Sequence, residues 1–130
     1  MNDIYKHKNL TNKIINGFYS VYNELGFGFL ESVYDKAMVI ALSENELDVE
    51  SQVEIDVFFR EYNVGIFRAY LIVNDCILVE LKAVKQIQDI HKAQILNYLK
   101  ATKFEIGLLL NFGQKPKVKR YIFDEERKKC

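Results

Sequence analysis

The stretch Cys76-Ile77-Leu78-Val79-Glu80-Leu81-Lys82-Ala83 predicts a β-strand in the interior of a sheet. Its apolar side chains point to both faces, which is typical of strands that are covered on both sides. Glu80 and Lys82 interrupt the pattern, and because they are two residues apart they point to the same face. An unpaired charge is costly there. Either the two charges pair with each other or lie near the end of the strand, or they form a functional site.

A second apolar run, 66–73, precedes this strand and is joined to it by Asn74-Asp75, which indicates a hairpin. Two registers are open. A two-residue loop places Ala69 opposite Glu80, whereas a loop of odd length places Tyr70 opposite Glu80. We favour the odd loop because it groups the polar side chains of the two strands.

The elements outside this hairpin complete a predicted order of ααβββαββ. They are a helix ending at Gly26, a helix ending near 43–45, a strand over 53–59 with a turn over 62–65, a helix over 89–101, and strands over 105–112 and 117–123. The crossover 83–105 is expected to join parallel neighbours. This order predicts an α+β (α/β-like) domain with a mixed central sheet flanked by helices.

Length and composition indicate one globular domain. The chain has 130 residues, of which 49% are hydrophobic and 28% charged. We predict a single domain over 10–123 with polar tails over 1–9 and 124–130. The apolar runs are too short for a membrane span, so we expect a cytoplasmic protein without membrane partners.

Charge and cysteine content exclude two further classes of protein. Eighteen basic and eighteen acidic residues give zero net charge, which argues against a protein that coats nucleic acid by bulk charge. Cys76 and Cys130 lack the spacing of a zinc site, and we expect two reduced thiols. Any metal is therefore expected to be a hard cation held by carboxylates.

Basic residues are nevertheless concentrated near the C-terminus. They are Lys115, Lys117, Lys119, Arg120, Arg127, Lys128 and Lys129. One interpretation is a local surface for nucleic acid. The other is a solvated strand edge and tail, since acidic residues are interleaved with the last three.

Polar residues of the helices are less informative alone. Glu31 falls in the first turn of the second helix, where the helix dipole favours a carboxylate. Asp35, one turn on, is expected to be solvated. Gln94 and Tyr98 share a face of the third helix with His91, which is weak support for a general base.

Five short motifs occur in order between residues 10 and 123. They are Gly28-x-x-Glu31-x-x-Tyr34, Arg68-Ala69-x-Leu71-Ile72-Val73, Val79-Glu80-Leu81-Lys82-Ala83-Val84, His91-x-Ala93-Gln94-x-Leu96-Asn97-Tyr98-Leu99-Lys100-Ala101 and Gly107-Leu108-Leu109-Leu110-Asn111-Phe112-Gly113. Together they resemble the GxxExxY protein family, a branch of the PD-(D/E)XK nuclease-like superfamily.

The resemblance implies a restriction-endonuclease-like fold and a metal-dependent hydrolysis of DNA. Mg²⁺ or Mn²⁺ would be held by Glu80, by the main-chain carbonyl of Leu81 and by Glu31. Lys82 would be the catalytic lysine that positions the attacking water. No small-molecule cofactor is implied, and a homodimer is expected because nucleases of this fold often pair to cut both strands.

The same resemblance assigns the remaining candidate residues. Gln94 and Tyr98 look like the Gln-x-x-x-Tyr element of RecB-like nucleases, which orients the site and the DNA backbone. The candidate nucleic-acid contacts are Arg68, Lys117, Lys119 and Arg120.

Tyr70 departs from the family pattern, which usually reads Arg-Ala-Asp-Leu where this chain has Arg68-Ala69-Tyr70-Leu71. A neutral phenol is a poor Mg²⁺ ligand, because hard cations are held by carboxylate charge. Asp75 is too far along the strand to replace the missing aspartate, whereas Glu54 and Asp56 on the preceding strand are candidates.

Two functional hypotheses follow from this substitution. The first is a metal-dependent nuclease whose phosphodiester hydrolysis is impaired by Tyr70. The second is a catalytically inactive module of the same fold, without a cofactor, that binds nucleic acid or a protein partner.

Overall fold

A computed structural model describes residues 7–123 of the chain and confirms the order ααβββαββ. The elements are α1 (Lys8–Leu25), α2 (Glu31–Glu44), β1 (Val49–Phe59), β2 (Tyr62–Val73), β3 (Ile77–Lys82), α3 (Asp89–Lys100), β4 (Ile106–Phe112) and β5 (Pro116–Ile122). Of the predicted tails, residues 1–6 and 124–130 lie outside the described residues. Helix α1 begins two residues before the predicted domain start at residue 10.

The five strands form one mixed sheet in the order β1-β2-β3-β4-β5. Strands β3 and β4 are parallel, and the other three pairs are antiparallel. Because a parallel pair needs a long crossover, the segment between β3 and β4 carries α3. The predicted α+β class, with a mixed sheet flanked by helices, is confirmed.

Apolar side chains cover both faces of the sheet and make a three-layer domain. Helices α1 and α2 pack on one face through residues such as Phe18 and Met38, which meet Leu81 and Leu110 of the central strands. Helix α3 packs on the other face. Its contribution to the second core consists of Ile95 and Leu99, against Leu78 and Leu109.

The hairpin between β2 and β3 has the odd loop. Leu71 pairs with Val79 and Val73 with Ile77, which leaves the three residues 74–76 in the turn. The predicted register is confirmed, and it places Tyr70 next to Glu80. The backbone amide of Tyr70 donates to Glu80 Oε1 at 3.3 Å.

Strands β1 and β2 form a longer ribbon than the sequence predicts. The predicted turn over 62–65 is wrong, because Tyr62 pairs with Phe59 and the chain reverses at Arg60-Glu61. Arg60 has a φ of 57°. Only residues 71–73 of β2 have Cα partners on β3, so the earlier part of β2 and its partner β1 extend past β3 as a two-stranded ribbon.

Tyr34 fixes the linker between α1 and α2. Its hydroxyl donates to the carbonyl of Gly26 at 2.6 Å and accepts from the amide of Phe29 at 3.3 Å. Its ring stacks on Phe112 with 4.0 Å between the ring centroids. Gly28 has a φ of +111°, a backbone conformation that favours glycine. The glycine and the tyrosine of the Gly28-x-x-Glu31-x-x-Tyr34 motif therefore both shape this linker.

Asp35 is buried rather than solvated, so that prediction was wrong. The residue is 6% exposed. Ser51 Oγ donates to its two carboxylate oxygens at 3.0 and 2.8 Å, and Gln52 Nε2 donates at 3.3 Å. Asp35 therefore joins α2 to β1.

Cys76 also differs from its prediction. It is buried beside the start of β3 and is disulfide-bonded, so the expected reduced thiol is wrong at this position. Cys130 lies outside the described residues.

Within the part of the chain that the structure describes, no helix combines the length and apolarity that crossing a membrane would require.

Candidate functional site

Glu80 is the buried carboxylate of the candidate site. It lies on β3 on the side covered by α3, and it is 4% exposed. Burial raises its pKa to about 7, although the hydrogen bond from the Tyr70 amide and the charge of Lys82 lower it in part. A carboxyl group held near neutrality at a central strand is typical of a functional position.

Lys82 lies two residues further along β3, where the strand ends. Its ammonium group donates to Gln94 Oε1 of α3 at 3.0 Å. The structure therefore brings together two of the residues that the motifs single out. Gln94 holds the lysine from the helix that covers this face of the sheet, so the lysine has a polar partner besides the nearby charge of Glu80.

Tyr70 and Glu31 are the other two candidate residues close to Glu80, and they contribute a phenol and a carboxylate. Tyr70 is half-buried, and burial together with the charges of Glu31, Glu80 and Asp35 raises the pKa of its phenol above 10.0. Glu31 is the first residue of α2, as predicted. The phenol therefore keeps its proton at neutral pH among three carboxyl groups.

Tyr98 lies one turn beyond Gln94 on α3, and its ring stacks on Phe67 of β2. The ring centroids are 3.9 Å apart and the planes are 7° from parallel. Burial and the charge of Glu80 raise the pKa of Tyr98. This contact attaches the β1–β2 ribbon to α3 at the edge of the site.

His91 serves the start of α3. Its Nδ1 accepts a hydrogen bond from the backbone amide of Gln88 at 2.9 Å, as part of a capping box. This contact gives the side chain a structural role at the helix start.

The donor set of the site does not fit a carboxylate-held metal centre. Among residues 7–123, no group of three or more His, Cys, Asp or Glu side chains is placed to hold an ion. The side-chain donors that the resemblance implies are Glu80 and Glu31. The position on β2 beside Glu80, where the family pattern has an aspartate, has the phenol of Tyr70. Leu81 belongs to the core on the opposite face through its side chain.

Glu54 and Asp56 do not supply the missing carboxylate. Glu54 forms an exposed ion pair with Arg68 at 3.0 Å on the ribbon. Asp56 is exposed and pairs with Ile66, four residues before Tyr70. Asp35 is the additional carboxylate near Tyr70, but it is already bound by Ser51 and Gln52.

A cationic groove lies on the same face of the sheet as Lys82. We call it the lysine groove. It has a volume of about 640 Å³ and is lined by Lys85, Gln86, Ile87, Asn111, Gln114, Lys115, Lys117 and Lys119. Lys82 pairs with Asn111 of β4, which in turn pairs with Lys117 of β5. Cross-strand neighbours share a face, so these three residues form one row across the sheet.

Two predicted nucleic-acid contacts lie elsewhere. Arg68 is on the ribbon, where it is paired with Glu54. Arg120 pairs with Leu108 on the face that α1 covers, and its Nη1 donates to Thr11 Oγ1 at 3.5 Å. Arg127, Lys128 and Lys129 lie outside the described residues.

Sequence reasoning missed Lys85 and the hydrogen bonds of Asn111 that fix the backbone beside it. The carboxamide of Asn111 accepts from the amide of Val84 at 3.0 Å and donates to its carbonyl at 2.9 Å. These bonds fix the chain directly before Lys85. The signal in the sequence was weak, because Lys85 and Lys117 are far apart along the chain.

The pKa of Glu80 predicts a pH-dependent stability. Because the folded-state value of about 7 exceeds the ordinary 4.5, the folded chain retains a proton that the unfolded chain loses. The associated stability is complete at low pH and declines as pH rises to about 7. We expect Glu80→Gln to raise the free energy of unfolding at pH ~8 by on the order of 3 kcal/mol, and to leave it unchanged near pH 4.

Urea unfolding at the two pH values measures this difference. Glu54→Gln is the matched control, since Glu54 is an exposed glutamate in an ion pair. Equal effects of Glu80→Gln at both pH values would contradict the raised pKa.

Comparison with known proteins adds the family. A family model described as the PD-(D/E)XK nuclease superfamily matches residues 8–121. No curated protein sequence matches the chain. A solved structure titled "Crystal structure of SSO0001" is similar, with a TM-score of 0.55 and 20% sequence identity. The alignment covers 93% of this chain and 61% of that one, so this chain spans about three fifths of its length.

The likeness to that structure concerns the fold alone, since the identity is low. The family model covers far more than half of the chain, and its range includes Glu80, Lys82, Gln94 and Tyr98. This chain belongs to the PD-(D/E)XK nuclease superfamily.

Proposed function

We propose that this chain is a nuclease-fold domain that binds DNA along its lysine groove, and that its phosphodiester hydrolysis is lost or much reduced. The observation that carries the proposal is the row Lys82, Asn111 and Lys117, which connects the site of Glu80 and Lys82 to the groove. The Tyr70 phenol supports the loss of hydrolysis.

The lysine groove suits a polyanion. Lys85, Lys115, Lys117 and Lys119 are exposed along it, and lysines that contact phosphates supply most of the affinity of nonspecific DNA binding. The zero net charge of the whole chain does not oppose this, because counterion release depends on the local contacts. Asn111 and Gln114 add neutral hydrogen-bonding groups to the same surface.

The position of Tyr70 argues against an intact metal centre. A carboxylate there would adjoin Glu80, whereas the phenol is neutral, and burial and three nearby carboxyl groups oppose its ionisation. Hard cations require carboxylate or carbonyl oxygens. We therefore place Glu80 and Lys82 in a site that retains the polar residues of a nuclease without its full set of ligands.

Finer assignments belong to the same proposal. The Gly28-x-x-Glu31-x-x-Tyr34 motif supports membership of the GxxExxY branch, and the arrangement of its glycine and tyrosine around the α1–α2 linker is consistent with that. We propose DNA as the nucleic acid and a homodimer as the assembly, both by resemblance to nucleases of this fold. If cleavage persists, Mg²⁺ or Mn²⁺ is the expected cofactor.

The test is a binding and cleavage experiment on the full chain. Fluorescence anisotropy with labelled DNA should show an affinity that falls with salt, with a slope near 0.9 for each phosphate contact. The same DNA should stay intact with Mg²⁺ or Mn²⁺. Absence of binding at low salt would contradict the proposal and favour a protein partner. Cleavage that disappears in Lys82→Ala would instead show an active nuclease.

A further inference from the structure

An apolar cavity adjoins the lysine groove at the α1–α2 linker. Its volume is about 440 Å³, and its walls include Phe27, Phe29, Leu30, Ala83 and Val84. Lys85 and Gln114 line both this cavity and the lysine groove. The two features are therefore parts of one continuous surface. Ala83, the residue that follows Lys82, belongs to the lining of the cavity.

Three apolar side chains of the α1–α2 linker that line this cavity are open to solvent. Phe27 is 56% exposed, Phe29 is 45% exposed and Leu30 is 75% exposed. Exposed apolar groups that lie together beside polar residues mark binding surfaces. Neither ring is needed to fill the two cores described above.

The linker holds Phe29 in place before any ligand arrives. Its backbone amide donates to the Tyr34 hydroxyl, and its ring meets the Tyr34 ring edge to face, with 6.0 Å between the centroids. Tyr34 is itself stacked on the buried Phe112. A ring that is fixed in this way loses little conformational freedom on binding.

We propose that this cavity receives unstacked nucleobases of a single strand whose phosphates lie along the lysine groove. Aromatic side chains next to a cationic groove are the combination that single-stranded nucleic acid needs, because bases stack on the rings while lysines track the backbone. Charge complementarity selects this occupant: the apolar walls end at Lys85, where a polyanion gains contacts. A base paired inside a duplex cannot enter the cavity.

This inference rests on the proposed function and makes it more specific. It predicts that the chain binds a single strand more tightly than a duplex of the same length. It also predicts that Phe27→Ala lowers the affinity for an oligothymidylate by roughly tenfold and leaves the affinity for duplex DNA unchanged. The slope of log affinity against log salt should be the same as in the unmodified chain, because no phosphate contact is removed.

Tryptophan substitution gives a direct readout. The chain contains no Trp, so Phe29→Trp introduces one indole on the wall of the cavity. Stacking on a base should quench its fluorescence when oligothymidylate is added, and duplex DNA should not. Phe58→Trp is the matched control, because Phe58 is also exposed (60%) but lies on the β1–β2 ribbon, outside the cavity.

The outcomes separate the two proposals. Quenching of the Phe29→Trp variant by the single strand alone, with the Phe27→Ala loss, supports the cavity as a base-stacking site. DNA binding with unchanged Phe29→Trp fluorescence and no effect of Phe27→Ala overturns this inference and leaves the lysine groove intact. Failure of the unmodified chain to bind either DNA at low salt overturns both.

Discussion

Tyr70→Asp is expected to create a divalent-metal site, because residues 7–123 contain no group of three or more carboxylate, His or Cys side chains placed to hold an ion. The new carboxylate would lie on β2 next to Glu80 and near Glu31, because the hairpin register places residue 70 beside Glu80. Affinity for hard cations depends on the number of carboxylate ligands. We expect Mn²⁺ binding to tighten by on the order of a hundredfold relative to the unmodified chain.

Calorimetric titration of Mn²⁺ measures this change directly. Tyr70→Asn is the matched control, since it removes the phenol without adding a charge. Adding Glu80→Ala to Tyr70→Asp should abolish the gain, because Glu80 is the buried carboxylate that the new aspartate would complement. If a folded Tyr70→Asp variant takes up no more Mn²⁺ than Tyr70→Asn does, the assignment of Glu80 to this site is wrong.

The same variant should gain metal-dependent cleavage of DNA. Lys82, the lysine that the family resemblance assigns to catalysis, already donates to Gln94 Oε1 at 3.0 Å and so has a fixed position. Cleavage that requires Mg²⁺ or Mn²⁺ and disappears on Lys82→Ala is the expected result. Restored metal binding without cleavage would place the defect elsewhere in the site.

Removal of two groove lysines should produce the largest change in DNA affinity. In the double variant Lys117→Gln with Lys119→Gln, two side chains that face the groove lose their charge. Each phosphate contact contributes about 0.9 to the salt slope, so we expect the slope to fall by roughly 1.8. At low salt the affinity should fall by on the order of a hundredfold.

A second double variant controls for charge alone. Lys13 on α1 and Lys36 on α2 are exposed and lie on helices that cover the opposite face of the sheet. Their replacement by Gln changes the net charge equally and should leave the salt slope near that of the unmodified chain. Similar losses in the two double variants would show that binding follows total charge and would contradict a groove-specific path.

The parts of the fold that are predictable from sequence depend on local periodicity. The apolar runs predicted β3 and its hairpin partner β2. The preference for grouping polar side chains predicted the loop of odd length, which places Tyr70 beside Glu80. The ribbon was underestimated because its turn at Arg60-Glu61 has neither Gly nor Asn. Left-handed backbone at an arginine is uncommon, so composition pointed to the neighbouring Tyr62–Gly65 segment instead.

The parts of the site that escaped prediction depend on contacts between distant segments. Asp35 can be buried because Ser51 and Gln52 on β1 donate hydrogen bonds to its carboxylate. The sequence pattern of α2 alone does not reveal these donors, since they belong to another element. Lys85 joins Lys117 through the parallel pairing of β3 with β4 and the antiparallel pairing of β4 with β5. The motifs identified Glu80, Lys82 and Gln94. The face of the sheet to which Arg120 belongs could be assigned only from the pairing of β5 with β4.

The hydrogen bond from residue 70 to Glu80 comes from the main chain. Any amino acid other than proline at this position supplies the same donor, so the exchange of side chain leaves that part of the scaffold untouched. In the genetic code, tyrosine and aspartate codons differ at a single nucleotide. A single point mutation therefore converts Tyr70 into aspartate without an intermediate amino acid, and the main-chain donor to Glu80 is kept.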